Sequence, residues 1–112
     1  MSRKIKFRGW DARVKRMEDD LSVRSWLFQN LDQSPELTIM QYTGLKDKND
    51  KEIYEGDILK GAYNDHLYVV EFKCGEFICE KGIHILGRSL WDKTEIVGNI
   101  CENPELIQKQ PT

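Results

Sequence analysis

The sequence predicts an all-β protein made of short strands. Apolar, β-branched and aromatic segments are separated by turn-forming residues at a spacing of roughly ten residues, which is typical of small barrels and sandwiches. The most strand-like segment is Leu67–Lys73, which reads Leu-Tyr-Val-Val-Glu-Phe-Lys. From Asp57 onward, five such segments with tight connections predict a small SH3-like barrel, and the preceding residues predict an N-terminal β-hairpin lobe.

The length and composition predict one domain. A chain of 112 residues is long enough for one hydrophobic core, so we expect a single domain, 1–112, with an N-terminal lobe over 1–55 and a barrel lobe over 56–108. The chain is 39% hydrophobic and 32% charged, as globular proteins are. No apolar run approaches the roughly 20 residues that cross a bilayer, and no signal-peptide pattern follows the basic N-terminus. We therefore expect a cytoplasmic protein without a membrane partner.

The first predicted element is a hairpin with a basic face. Residues 3–10 alternate in the period of a half-buried strand, with Ile5 and Phe7 on one face. The basic side chains on the other face are Lys4, Lys6 and Arg8. A turn at residues 11–13 leads into a second short strand at 14–17. We expect this basic ridge to face water.

Residues 18–30 fit two structures. Asp20 can cap a helix over residues 21–30 that buries Trp26 and Leu27, but Val23 and Phe28 also suit a strand. The sequence leaves this choice open. Residues 32–35 end in a proline and predict a loop, and a strand follows over residues 37–42.

The centre of the chain, residues 40–59, predicts a hairpin. Apolar residues stand at its ends, and residues 46–52 form a polar cluster with the composition of a turn. Asn49 and Asp50 occupy the position at which tight turns require positive φ. A non-glycine residue there costs about 1 kcal/mol, and somewhat less for aspartate.

The remaining elements are short. Residues 76–80 predict the return strand of a tight hairpin, residues 83–86 a short apolar strand between two glycines, and residues 95–100 the last strand. Pro104 after Asn103 predicts one helical turn near the end of the chain.

Three segments carry a resemblance to a known family. They are residues 5–11 (Ile-Lys-Phe-Arg-Gly-Trp-Asp), residues 40–58, and residues 97–106 (Val-Gly-Asn-Ile-Cys-Glu-Asn-Pro-Glu-Leu). With these segments the chain resembles the YopX family, which is found mainly in bacteriophages and prophages of Gram-positive bacteria. The chain departs from the family pattern at Gly9, where alanine is usual, and at Asp50, where glycine is usual.

The resemblance implies a mostly β protein with an N-terminal lobe and an SH3-like barrel. It also implies self-association and a place among phage accessory genes, hence in the cytoplasm of the host bacterium. It brings no enzymatic activity and no catalytic residue.

The residues themselves predict no enzyme, metal or cofactor. His66 and His84 lack a nucleophile at an interpretable spacing and are expected to be a turn histidine and a packed one. Cys74, Cys79 and Cys101 lack the paired spacing of a zinc site, so we expect reduced thiols.

Two acidic turns were considered as ligand sites. Asp47, Asn49 and Asp50 resemble part of a calcium loop, but Glu52 replaces its glycine and Ile58 its final glutamate, so a solvated turn is expected. The segment Glu55-Gly56-Asp57 could display two carboxylates to a ligand or partner, or could be ordinary turn chemistry.

The charge distribution favours two partner classes. Residues 1–16 carry +6, and since the whole chain carries −2, the remainder carries −8. The candidate binding residues are Lys4, Lys6, Arg8, Arg13, Lys15 and Arg16. They can neutralise phosphates of a nucleic acid, or they can pair with the acidic body of the same or a neighbouring subunit, which is the favoured reading.

Two functions follow. The favoured function is a non-enzymatic phage accessory protein that forms a homo-oligomer through its N-terminal lobe and binds a phage or host protein. The alternative is a nucleic-acid-binding module that uses the basic ridge.

Overall fold

The computed structural model describes residues 5–29, 37–61, 66–73, 76–81 and 84–108. The predictions for Lys4, Cys74 and the loop at 32–35 lie outside these residues. The described chain consists of two antiparallel sheets and short helices, so the predicted all-β class is confirmed. Among the described residues, no helix combines the length and the apolar character needed to cross a bilayer.

The first sheet has the strand order β2-β1-β3-β4. Its strands are β1 (Phe7–Asp11), β2 (Arg16–Glu18), β3 (Leu37–Lys46) and β4 (Glu52–Tyr54). The first half of the long strand β3 pairs with β1, and its second half pairs with β4. Strand β2 begins two residues later than predicted, because the turn extends over 12–15 and Lys15 adopts a φ of 53°.

Helix α1 (Asp20–Gln29) resolves the choice that the sequence left open. Its N-cap is Asp19, whose Oδ1 accepts a hydrogen bond from Ser22 N at 2.9 Å. The prediction that Asp20 caps the helix is wrong, since Asp20 Oδ1 instead accepts from Phe7 N at 2.8 Å. The prediction that the helix buries Trp26 and Leu27 concerns side chains outside the described part of the structure.

The second sheet is a curled half-barrel with the order β8-β7-β6-β5-β9. Its strands are β5 (Asp57–Lys60), β6 (Leu67–Lys73), β7 (Glu76–Lys81), β8 (His84–Leu86) and β9 (Glu95–Asn99). A 3₁₀ helix (Arg88–Lys93) precedes β9, and α2 (Glu105–Gln108) is the predicted helical turn. All five predicted barrel strands are therefore present.

The hydrophobic core lies inside the half-barrel but is filled from both sheets. Its buried members are Ile53, Leu59, Tyr68, Val70, Phe77, Cys79 and Trp91. Ile53 lies on β4, and Leu45 of β3 packs against the cluster. The far end of the β3–β4 hairpin is thus part of the barrel core, while the division into lobes at residue 55 stays a prediction.

Candidate functional site at the Gly56 corner

The turn between β4 and β5 places Gly56 where three parts of the chain meet. Gly56 has a φ of +85°, and a β-carbon on it would lie 2.9 Å from Met40 Sδ and 3.5 Å from Ile100 Cγ1. Its N–H donates to Val70 O at 2.8 Å, and its carbonyl accepts from Ile100 N at 2.9 Å. Glycine is required here both by the backbone conformation and by the close approach of Met40. We call Arg8, Met40, Glu55, Gly56, Asp57 and Ile100 the Gly56 corner.

Asp57 is the buried acid of the corner, with 1% of its surface exposed. Its Oδ2 accepts from Tyr54 N at 2.8 Å, and its Oδ1 accepts from Arg8 Nη2 at 2.7 Å. Burial raises the pKa of Asp57, and the Arg8 guanidinium acts in the opposite direction. The idea that residues 55–57 display two carboxylates is wrong, because Asp57 is enclosed and Glu55 Oε1 accepts from Gln41 N at 3.1 Å.

Arg8 joins β1 to this corner. Its Nη2 also donates to Glu55 O at 3.3 Å and approaches Met40 Sδ at 3.5 Å. The guanidinium carbon lies 4.7 Å from the ring centroid of Tyr54, which is stacking distance for a cation–π contact. The side chain is only 15% exposed, and its Nε is buried without a hydrogen-bond partner.

Lys6 is held in a similar way on the same face of the first sheet. Its Nζ lies 2.7 Å from a carboxylate oxygen of Glu52 and 5.6 Å from the ring centroid of Tyr42. The hydrogen bond that Lys6 donates to the Glu52 carboxylate raises the pKa of Lys6. Lys6 and Arg8 therefore do not form a ridge that faces water. Both pair with acids of the same chain, as the favoured reading of the charge distribution expects.

The other predicted binding residues lie elsewhere on the first sheet. Arg13 and Lys15 are in the turn at 12–15, and Arg16 is the first residue of β2. All three are exposed. Arg13 Nε lies 3.6 Å from Asp11 Oδ1, and Arg16 Nε lies 2.8 Å from Glu18 Oε2. The structure thus separates these residues from Lys6 and Arg8 instead of forming one continuous ridge.

The turn at residues 47–51 is organised by Asp47, which is buried. Asp47 Oδ1 accepts from Asn49 N at 2.9 Å and Lys51 N at 3.0 Å, and Oδ2 accepts from Ile96 N at 3.0 Å. The expectation of a solvated turn is wrong for Asp47, since its carboxylate ties the turn to β9. Asp50 has the expected positive φ, 64°, whereas Asn49 does not share it.

The turn after β9 is organised by two asparagines. Asn99 Oδ1 accepts from Cys101 N at 3.0 Å and Glu102 N at 2.8 Å. Asn103 Oδ1 accepts from Asn99 N at 3.2 Å and occupies the space beside Gly98, where a β-carbon would lie 2.5 Å away. This arrangement holds Ile100 beside Gly56.

The described residues offer little reactive chemistry. They contain no group of three or more His, Cys, Asp or Glu side chains that could hold a metal ion. Cys79 is buried in the core, and burial raises the pKa of Cys101. His66 is exposed, with its ring 6.5 Å from that of Tyr68. A raised thiol pKa disfavours the reactive thiolate at Cys101.

The Gly56 corner unites the three segments that carry the family resemblance. Arg8 comes from residues 5–11, Met40 and Asp57 from residues 40–58, and Ile100 from residues 97–106. The corner is not predictable from local sequence patterns, because no spacing relates Arg8 to an acid 49 positions away. The shared family pattern of the three segments was the signal that could have linked them.

Two of the comparisons with known proteins find a related family or structure. The model of a family described as YopX protein matches residues 22–108. The chain belongs to the YopX family. The crystal structure of protein EF1440 from Enterococcus faecalis is similar to it, with a TM-score of 0.72, 30% sequence identity, and coverage of 95% of this chain and 99% of that chain. No curated protein matches the chain.

Proposed function

We propose that the protein is a non-enzymatic phage or prophage accessory protein of the host bacterial cytoplasm. It assembles with copies of itself through its N-terminal lobe and acts by binding a phage or host protein. The observation that carries this choice over nucleic-acid binding is the pairing of Lys6 with Glu52 and Arg8 with Asp57. A cation already paired inside its own chain contributes little to neutralising phosphates.

The exposed apolar side chains support assembly through the N-terminal lobe. Ile5, Val14 and Leu21 are 60%, 57% and 73% exposed, and all belong to the first 29 residues. Ile5 lies beside α1, because Arg24 Nη2 donates to Ile5 O at 3.1 Å, and α1 carries Leu21. Among the described large apolar residues these three are the most exposed, and exposed apolar surface can mark a place where a protein partner binds.

Light scattering at tens of micromolar protein tests the assembly. We expect the wild-type mass to exceed that of the 13.2 kDa chain. The double variant Ile5→Gln/Leu21→Gln should return to the monomer mass, whereas Val97→Thr, a shape-conserving change of an exposed residue on β9, should keep the wild-type mass. A wild-type monomer, or loss of assembly in both variants alike, contradicts the proposal.

A binding assay with DNA and RNA at low salt tests the alternative function. The probe is the charge-reversed variant Arg13→Glu/Lys15→Glu/Arg16→Glu, which changes the exposed basic residues and leaves the Gly56 corner intact. We expect neither protein to bind. Salt-sensitive binding by the wild type that the variant loses would favour the nucleic-acid function instead.

A further inference from the structure

Among the side chains that the structure describes, those of β1, β2 and the first part of α1 have almost no share in the main hydrophobic core. Every buried member of the core cluster lies at Ile53 or later in the chain. Within residues 5–25, whose side chains are described, Val23 is the single buried hydrophobic residue. Burial of apolar surface therefore holds residues 5–25 on the molecule much less strongly than it holds β5, β6 and β7.

The segment is nevertheless tied together internally. Phe7 N donates to Asp20 Oδ1 at 2.8 Å, and Arg24 of α1 donates to Ile5 O at 3.1 Å. The guanidinium of Arg24 also lies 5.6 Å from the ring centroid of Phe7. Because these contacts join β1 to α1 directly, the segment can move without losing them.

Arg8 makes a direct contact between this segment and the barrel. It reaches from β1 to Asp57 of β5, next to the backbone bonds of Gly56. Burying this pair removes both charges from water, and the buried Nε of Arg8 has no acceptor to replace its hydration. Opening would let water reach that group, and this hydration offsets part of the free energy that is lost when the Arg8–Asp57 contact breaks.

Strand β3 stays with the barrel when the segment leaves. Leu45, near the end of β3, packs against the barrel core, and Asp47 beyond it accepts a hydrogen bond from Ile96 N of β9. The half of β3 that pairs with β1 would then lose its neighbouring strand. Met40, which is buried in the closed structure, would become exposed.

From these contacts we propose that β1, β2 and α1 open from the molecule as one unit, and that the Arg8–Asp57 contact is the latch that closes it. The opening exposes the first half of β3 as a free strand edge while the barrel remains folded. The opening itself needs no second copy of the chain, although the segment that opens carries Ile5 and Leu21 of the proposed assembly surface.

Native-state hydrogen exchange of the full chain, at a concentration where its mass is constant, tests the opening. We expect backbone amides between β1 and β3 to be at least about tenfold less protected than those between β6 and β7, with a weaker dependence on low urea. Equal protection in the two sheets would mean that β1 leaves only when the whole chain unfolds, and would overturn the proposal.

Variants test the latch itself. Asp57→Asn should lower the protection of the β1–β3 amides at least about tenfold relative to the same amides of the wild type. If Asp57→Asn does not fold, Arg8→Lys tests the same contact from the first sheet. The matched control is Glu52→Gln, which removes the partner of Lys6 and should change protection by less than about threefold. Equal effects of Asp57→Asn and Glu52→Gln, or no effect of either latch variant, would contradict the assignment of Arg8–Asp57 as the latch.

Discussion

At the scale of single residues, three buried polar side chains determine the turns of the molecule. Asp47, Asp57 and Asn99 each accept hydrogen bonds from backbone amides that no strand partner satisfies. Short Asx side chains suit this role because their oxygens reach amides two to four residues away. All three belong to segments that carry the family resemblance, so turn formation accounts for part of that resemblance.

The strained turn residue Asp50 gives a prediction at this scale. Because its φ is 64°, Asp50→Gly should stabilise the protein by a few tenths to about 1 kcal/mol, less the extra entropy that glycine gives the unfolded chain. Urea denaturation at matched protein concentration measures the difference. The neighbouring variant Asn49→Gly is the control and should not stabilise, since Asn49 has no positive φ. A clear loss of stability in Asp50→Gly would mean that its side-chain contact with Lys46, at 3.7 Å, outweighs the backbone strain.

At the scale of strands and helices, local patterns predicted the strands but not the residues that contact them. Leu67–Lys73 was predicted correctly because its β-branched and aromatic residues act locally. The sequence left open whether α1 is a helix or a strand, because its apolar spacing is irregular. A hydrogen bond between Asp20 and Phe7 holds the helix in its place. The alternation in β1 correctly placed Lys6 and Arg8 on one face of the strand. It could not show that Glu52 and Asp57 contact these two side chains.

The attachment of α1 to β1 should depend on pH. The hydrogen bond from Phe7 N, assisted by Arg24, lowers the pKa of Asp20 in the folded protein. The stabilisation from its carboxylate is therefore complete above the unfolded-state pKa of about 3.9 and is lost as the pH falls through the lower folded-state value.

Asp20→Asn should consequently weaken the dependence of the free energy of unfolding on pH below about pH 4. Denaturation in urea across that range measures it, with Asp92→Asn, an exposed change in the 3₁₀ helix, as the control. An acid dependence in Asp20→Asn that matches the wild type would show that the Asp20 carboxylate does not hold α1.

At the scale of the whole molecule, a few non-local contacts join the two sheets. Leu45 and Ile53 enter the barrel core, Lys48 N donates to Thr94 O at 2.9 Å, and Arg8 pairs with Asp57. The last pair spans 49 residues of sequence, a separation that no local pattern encodes. The sequence therefore predicted the fold class and the family, while the site that unites the family segments required three-dimensional structure.

A double-mutant cycle on Arg8→Met and Asp57→Ala measures most directly whether this pair joins the sheets. Each single change leaves a buried group unpaired and should lower the free energy of unfolding by about 3–5 kcal/mol. The double variant should lose at least about 1.5 kcal/mol less than the sum of the two single losses, because neither charge is then stranded. Losses that add to within about 0.5 kcal/mol would show that Arg8 and Asp57 act independently, and the Gly56 corner would not be the junction of the two sheets.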